Sequence, residues 1–298
     1  MTSESSEPTP SEPTRPIAPG WLALREPADA RARDEAAGTL LPPLLQVLKQ
    51  AQALKNQAQS ISQTEGQTEG QTAGLRVVDL GSGTGANLRW LAPRLPSPDR
   101  QHWTLVDHDP GLLARGPVHA TALRADVADL AAVLAGLSES PGLGGTDLVT
   151  AAALLDLLDP RQLTAIVEAI VEAQVPALFS LTVSGEVLLD PPDPQDEPLA
   201  TAFDAHQRRD GRLGPDAATA VTGLFRERGW SVIGIRTPWL LNTADHPELI
   251  DAWLEGRAEA AAEHEPDLVR EAAGWLARRR AHPVEAVVGH IDVLALPG

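Results

Sequence analysis

Leu75-Arg76-Val77-Val78-Asp79-Leu80-Gly81-Ser82-Gly83-Thr84-Gly85-Ala86-Asn87 decides how this chain folds. An apolar strand over Leu75–Leu80 runs into a glycine-rich turn, and a helix opens directly behind it. Glycine belongs where the backbone takes positive φ or where a ligand must approach the main chain closely. The first turn of the following helix leaves N–H groups free for a carboxylate or a phosphate. Taken alone the pattern is compatible with several ligands, and Gly81-x-Gly83-x-x-Ala86 also fits a dinucleotide fingerprint.

Downstream of this turn the texture alternates between strand and helix. Further strands are predicted at Trp103–Val106, Ala120–Arg124, Asp147–Ala151, Ala177–Val183, Trp230–Ile235 and Val287–Leu296, with helices around 86–94, 110–116, 128–136 and 160–173. Such alternation predicts an α/β fold with a mostly parallel sheet covered on both faces, whose ligand edge lies at the strand C-terminal ends. A helical insertion is expected at 243–282, where Leu249, Ile250, Trp253 and Leu254 share one face and Pro266 opens a second helix.

Upstream, residues 1–16 read as a disordered tail with four prolines and repeated glutamates. Residues 17–55 read as helical, with Leu41, Leu44, Leu45 and Leu48 on one buried face, and are expected to cap the sheet edge together with the insertion. The stretch 56–74 contains QTEG, QTEG and QTAG in succession and is read as a low-complexity linker. Residues 75–298 then form the main domain.

The 298-residue chain carries 24 basic and 41 acidic side chains, a net charge of −17, which disfavours a nucleic-acid partner. Of the basic residues, only Lys49 and Lys55 are lysines. With no cysteine there are neither disulfides nor thiolate metal sites. No apolar run reaches the roughly 20 residues of a membrane span, and the acidic N-terminus does not resemble a signal peptide. The expectation is a soluble, cytoplasmic protein. Its oligomeric state is not set by the sequence, and no histidine spacing suggests a metal.

Three acids narrow the ligand. Asp79, two residues before the first glycine, offers a carboxylate where a pyrophosphate would gain nothing but an amino-acid ammonium would gain a charged hydrogen bond, worth about 1.5–3 kcal/mol. Asp107 ends the next strand, where an acid grips ribose hydroxyls. Asp126 follows the third strand, placed to accept from an adenine amino group. Amino acid, ribose and adenine together make S-adenosylmethionine.

These residues resemble the class I S-adenosylmethionine-dependent methyltransferases, chiefly over 75–183. Trp21–Ala30 and Phe203–Arg209 also look like an actinobacterial branch of that family. The resemblance implies a Rossmann-like, seven-stranded sheet whose last strand is antiparallel and inserted beside 177–183. It implies that Asp79, Gly81, Ser82, Gly83 and Gly85 hold the methionine part, Asp107 the ribose, and Asp126 with Val127 the adenine, with His108 also among the cofactor-binding residues. Ala151, at the end of the fourth strand, would line the same edge.

Methyl transfer from a sulfonium draws largely on proximity and orientation, so its machinery leaves a faint mark in sequence. In the family, residues after the fourth strand line the transfer site, which makes Asp156 a candidate base. His206 is a second candidate base. Arg25, Arg208 and Arg209 are candidate anchors for an acceptor, expected to be a small molecule methylated on oxygen or nitrogen. Trp21 and Trp239 are expected in a pocket or in the core. Asp190-Pro191-Pro192-Asp193 lacks the aromatic of an amino-methylation loop and reads as a Pro-rich connection. The competing expectations are a scaffold that retains the fold without turnover and an NAD(P)-dependent oxidoreductase.

Overall fold

The computed structural model describes residues 18–63, 74–139 and 145–298. The expected tail at 1–16 and the QTEG repeats lie outside the described residues, apart from the edges of the repeat-bearing stretch.

The parallel core consists of β1 (Leu75–Leu80), β2 (Gln101–Asp107), β3 (Thr121–Arg124), β4 (Leu148–Ala152) and β5 (Ala177–Asp190). Later strands are β6 (Ser231–Arg236), β7 (Trp239–Asn242) and β8 (Glu285–Leu296). The order is β3-β2-β1-β4-β5-β8-β6, with β8 antiparallel to both neighbours. This matches the expected α/β class and the inserted antiparallel strand. Strand-to-strand register sets Asp79 level with Leu105 on one side and with Thr150 on the other, so the acidic strand ends share one edge.

Two corrections concern the strands. An eighth strand, β7, was not expected; it pairs with Glu285–Val288, while β6 pairs with Ile291–Leu296, so the two occupy successive halves of β8. Four residues behind Pro238 are too few for a legible alternation. Strand β5 also runs on to Asp190 rather than ending near Val183. It crosses two register irregularities against β8, one at Leu181 with φ 57°, which break its alternation in sequence.

Helices α1 (Pro19–Gln63), α2 (Ala86–Leu91), α3 (Pro110–Leu113), α4 (Leu130–Glu139) and α5 (Pro160–Ala173) are followed by α6 (Asp196–Gln207), α7 (Ala217–Glu227), α8 (Pro247–His264) and α9 (Val269–Ala281). Asp159 caps α5 through a reciprocal box with Gln162 and Pro160 in the first turn, a strong local stop-start signal. Helix α1 is one 45-residue element that continues into 56–63, so the boundary expected at residue 55 is eight residues too early. Pro27, Pro42 and Pro43 lie inside it.

Helix α1 packs in two ways. Ala36, Leu40, Leu44 and Leu48 lie on a sheet face with Leu75, Val77, Trp103 and Leu294, so this part is a cover for the sheet rather than a cap over its edge. Ala28 and Ala32 instead join Trp239, Leu249, Trp253, Leu254 and Trp275 in a second apolar cluster with α8 and α9. That cluster rests on Val187 and Leu189 of β5 and Ala286 and Val288 of β8, where those strands extend beyond β4. The opposite face is filled by Val78, Leu80, Val106, Val149, Phe179, Ile166 and Phe225.

Candidate functional site

The glycine turn is tied to its neighbours by backbone groups. Ser82 N donates to Val106 O at 3.1 Å, and Gly83 N donates to Asp107 Oδ2 at 2.8 Å. Gly81 and Gly85 have φ of 57° and 79°, and a Cβ would meet Leu154 at 2.7 Å and Pro117 at 2.6 Å respectively. Both positions therefore exclude a side chain by conformation and by space. Leu22 of α1 lies across Gly83.

Asp79 is fully buried. Its Oδ1 accepts from Asn87 Nδ2 at 2.7 Å, while Oδ2 has no partner. Burial pushes its pKa up to about 7, opposed by the Asn87 hydrogen bond and the Arg33 cation. Ser82 Oγ is also buried and unpartnered.

Asp107 is buried, and its second oxygen accepts from Asp109 N at 2.9 Å. His108 is largely exposed, with Nδ1 3.3 Å from that same Asp107 oxygen. Asp126 is exposed and caps a short 3-10 turn by accepting from Ala128 N at 2.9 Å, with Val127 half-buried behind it. Ala151 packs its methyl into the cluster beneath the sheet, and it is Thr150 that reaches Asn87, at 3.1 Å.

Asp156 lies in a 3-10 turn after β4, buried, with Oδ1 lacking a partner. Burial raises its pKa, and the charges of Arg25 and Arg212 pull it back. Arg25 Nε donates to Asp29 Oδ2 at 2.8 Å, and its guanidinium lies 5.3 Å from the Trp239 ring centre. Trp239 Nε1 donates to Asp29 Oδ1 at 3.0 Å, and Trp21 sits edge-on to Trp239 at 6.4 Å. Asp156 and Arg25 are thus brought within electrostatic reach of each other.

The remaining candidates are held by partners of their own. His206 Nε2 faces Glu263 Oε2 at 3.2 Å, and its Nδ1 is 2.6 Å from Arg209 Nη1. Both ring nitrogens are therefore occupied between α6 and α8, and Arg209 is spent on the same ring. Burial and the Arg209 charge lower the His206 pKa. Arg208 pairs with Asp216 at 2.9 Å on the surface. Asp193 of the Pro-rich connection holds Arg278 at 2.7 Å, and Asp196 pairs with Arg279, which anchors this segment to α9. A groove of about 390 Å³ lies between the start of α8 and the end of α9, lined by Pro247, Ile250, Leu254, Arg279 and His282; no residue of the glycine turn lines it.

Sequence reasoning missed Arg33, His290 and Asp292, and left Asn87 without a role. His290 is buried with Nδ1 unpartnered, its pKa pressed down to about 3 by burial and by Arg25. Its ring centre is 4.9 Å from that of Trp239. Asp292 accepts from Leu181 N at 2.7 Å and Thr237 Oγ1 at 2.8 Å, locking the β5 irregularity. His290 and Asp292 alternate on one face of an otherwise apolar strand, and that spacing was the available signal. Among the described residues no cluster of metal-ligating side chains occurs, and no helix is long and apolar enough to cross a membrane.

No family model and no curated protein matches the chain. Among solved structures it is similar to the YcgJ protein of Bacillus subtilis, at 14% identity over 76% of this chain and 93% of that one, TM-score 0.43. It is also similar to an arsenic(III) S-adenosylmethionine methyltransferase of Chlamydomonas reinhardtii, at 16% identity over 78% of this chain and 67% of that one, TM-score 0.38. A third is phosphoethanolamine N-methyltransferase 2 of Haemonchus contortus, at 12% identity over 82% of this chain and TM-score 0.37, where the chain spans 53% of the other's length. At such identities the likeness is one of fold alone.

Proposed function

We propose that this protein transfers a methyl group from S-adenosylmethionine to a small-molecule acceptor. The observation that carries the reading is the Oδ2 atom of Asp79, buried and without a partner at the end of β1 beside the glycine turn. A carboxyl group buried in that state binds a proton more readily than usual; an ammonium brought to it supplies the missing donor and favours the ionised form. A pyrophosphate would leave the oxygen unpaired and add like charge, so the amino-acid end of S-adenosylmethionine fits better than a dinucleotide.

The other positions support the same reading. Each Asp107 oxygen accepts one backbone hydrogen bond and retains a lone pair for a ribose hydroxyl. Asp126 keeps Oδ2 for an exocyclic amine beyond the oxygen used in capping. S-adenosylmethionine supplies an electrophilic methyl group and a neutral thioether leaving group.

Asp156 takes the acceptor's proton in this account. Its unpartnered oxygen is buried, and burial raises its proton affinity above that of an ordinary carboxylate, the direction a base needs. Arg25 and Arg212 hold back that rise, while Trp239 is packed in the core and is given no contact with the acceptor. His206, Arg208 and Arg209 are assigned no part in transfer. The test is incubation with methyl-labelled S-adenosylmethionine and a panel of phenols, alcohols and amines. Label in an acceptor, lost on Asp79→Ala, supports the reading; binding of S-adenosylmethionine without transfer to any class would favour a scaffold.

A further inference from the structure

We infer that Arg33 and Asn87 are positioning residues, which fix the Asp79 carboxylate so that Oδ2 is presented to the ligand ammonium. The inference rests on the cofactor reading above and adds to it a role for helix α1.

The hydrogen bonds run in one direction. Arg33 is 1% exposed, and its Nη1 donates to Asn87 Oδ1 at 3.0 Å, while Nε donates to Asp29 O at 3.2 Å. Asn87 Nδ2 donates to Asp79 Oδ1 at 2.7 Å and to Thr150 Oγ1 at 3.1 Å. Thr150 Oγ1 in turn donates to Leu178 O at 2.8 Å, so its oxygen is available to accept. Every polar atom of the Asn87 amide is thereby assigned: the oxygen takes the guanidinium, and the nitrogen has two acceptors.

A primary amide is nearly symmetric in shape, and only its partners decide which end faces Asp79. Without the Arg33 donor, a flip would set Asn87 Oδ1 against Asp79 Oδ1, acceptor against acceptor. The carboxylate would then rotate or keep its proton, and either response withdraws the oxygen meant for the ammonium. The Arg33 guanidinium is itself fixed against the Trp90 ring at 4.5 Å, so it is a rigid donor.

The test compares two ligands by calorimetry on the intact protein: S-adenosylhomocysteine, and 5′-methylthioadenosine, which has the nucleoside and thioether but no amino-acid end. In Arg33→Met, S-adenosylhomocysteine affinity should fall tenfold or more and 5′-methylthioadenosine affinity should stay within twofold. Arg33→Lys should recover part of the loss, because an ammonium can also donate to Asn87 Oδ1. If leaving the partners of Arg33 unpaired unfolds Arg33→Met, Asn87→Ala carries the same comparison, with far-ultraviolet dichroism confirming the fold. Equal weakening of both ligands, or of neither, would overturn the inference. Wild-type protein that binds neither ligand would instead overturn the cofactor reading on which it rests.

Discussion

Gly83 N donates to Asp107 Oδ2 at 2.8 Å, so the turn after β1 is pinned to the last residue of β2. A side chain read as a ligand for ribose also holds the loop proposed for the methionine part. Asp107→Ala removes the acceptor from two backbone amides, Gly83 and Asp109. The expected cost is about 1–3 kcal/mol of stability for a buried donor left unpaired, together with a loss of S-adenosylmethionine affinity. Urea denaturation and calorimetry read the two effects separately, and an Asp107→Ala protein of unchanged stability would refute the pinning.

Asp79 makes the ligand-free fold pH-dependent. Its pKa is raised from 3.8 to about 7 in the fold, so the folded state holds a proton that the unfolded chain has released. This group's contribution is greatest below about pH 4 and is lost progressively as pH rises to 7, on the order of 4 kcal/mol. Relative to wild type, Asp79→Asn should therefore gain stability between pH 5 and pH 8 while losing S-adenosylmethionine affinity. Urea midpoints of both proteins at the two pH values check the sign. In wild type, affinity for S-adenosylmethionine should fall as pH drops below 7, because binding requires the ionised carboxylate.

Asp156→Asn separates turnover from binding. The amide keeps the shape and loses the base, so methyl transfer should fall by about 10²-fold or more with S-adenosylhomocysteine affinity nearly unchanged. His206→Gln should leave transfer within twofold, since both ring nitrogens of His206 are engaged by Glu263 and Arg209. The reverse ranking of these two variants in a labelled-methyl assay would move the base to α6.

Much of the architecture was legible because its signals are local. Leu75–Leu80 is a short apolar run ended by a glycine turn, and Asp159-Pro160 with Gln162 marks a helix start without reference to the rest of the chain. Strand β7 was not legible: Trp239–Asn242 is held by pairing with β8, some forty-five residues away, and by the Trp239 bond to Asp29. The acids at three strand ends were readable from order along the chain. Arg33 was not, because a charged residue in a helix is ordinarily solvated, and only tertiary packing shows that this one is buried against Trp90 and Asn87. The partners of His206 were equally out of view, since Glu263 lies fifty-seven residues away and Arg209 meets the ring only in the folded chain.

Trp239 and Asp29 join β7 to α1, and Asp29 also accepts from Arg25. Trp239→Phe retains most of the ring packing and deletes one buried hydrogen bond, for which about 1–2 kcal/mol of destabilisation is expected. Chemical denaturation measures it; a loss near zero would mean that the Trp239–Asp29 bond does not help to dock α1.

The central claim is that the Asp79 edge binds S-adenosylmethionine. Calorimetric titration of the intact protein with S-adenosylmethionine, S-adenosylhomocysteine and NAD in parallel tests it most directly. The account predicts saturable one-to-one binding of the first two, abolished by Asp79→Ala in a protein that remains folded, and no binding of NAD. Binding of NAD alone, or S-adenosylmethionine affinity indifferent to Asp79, would contradict it.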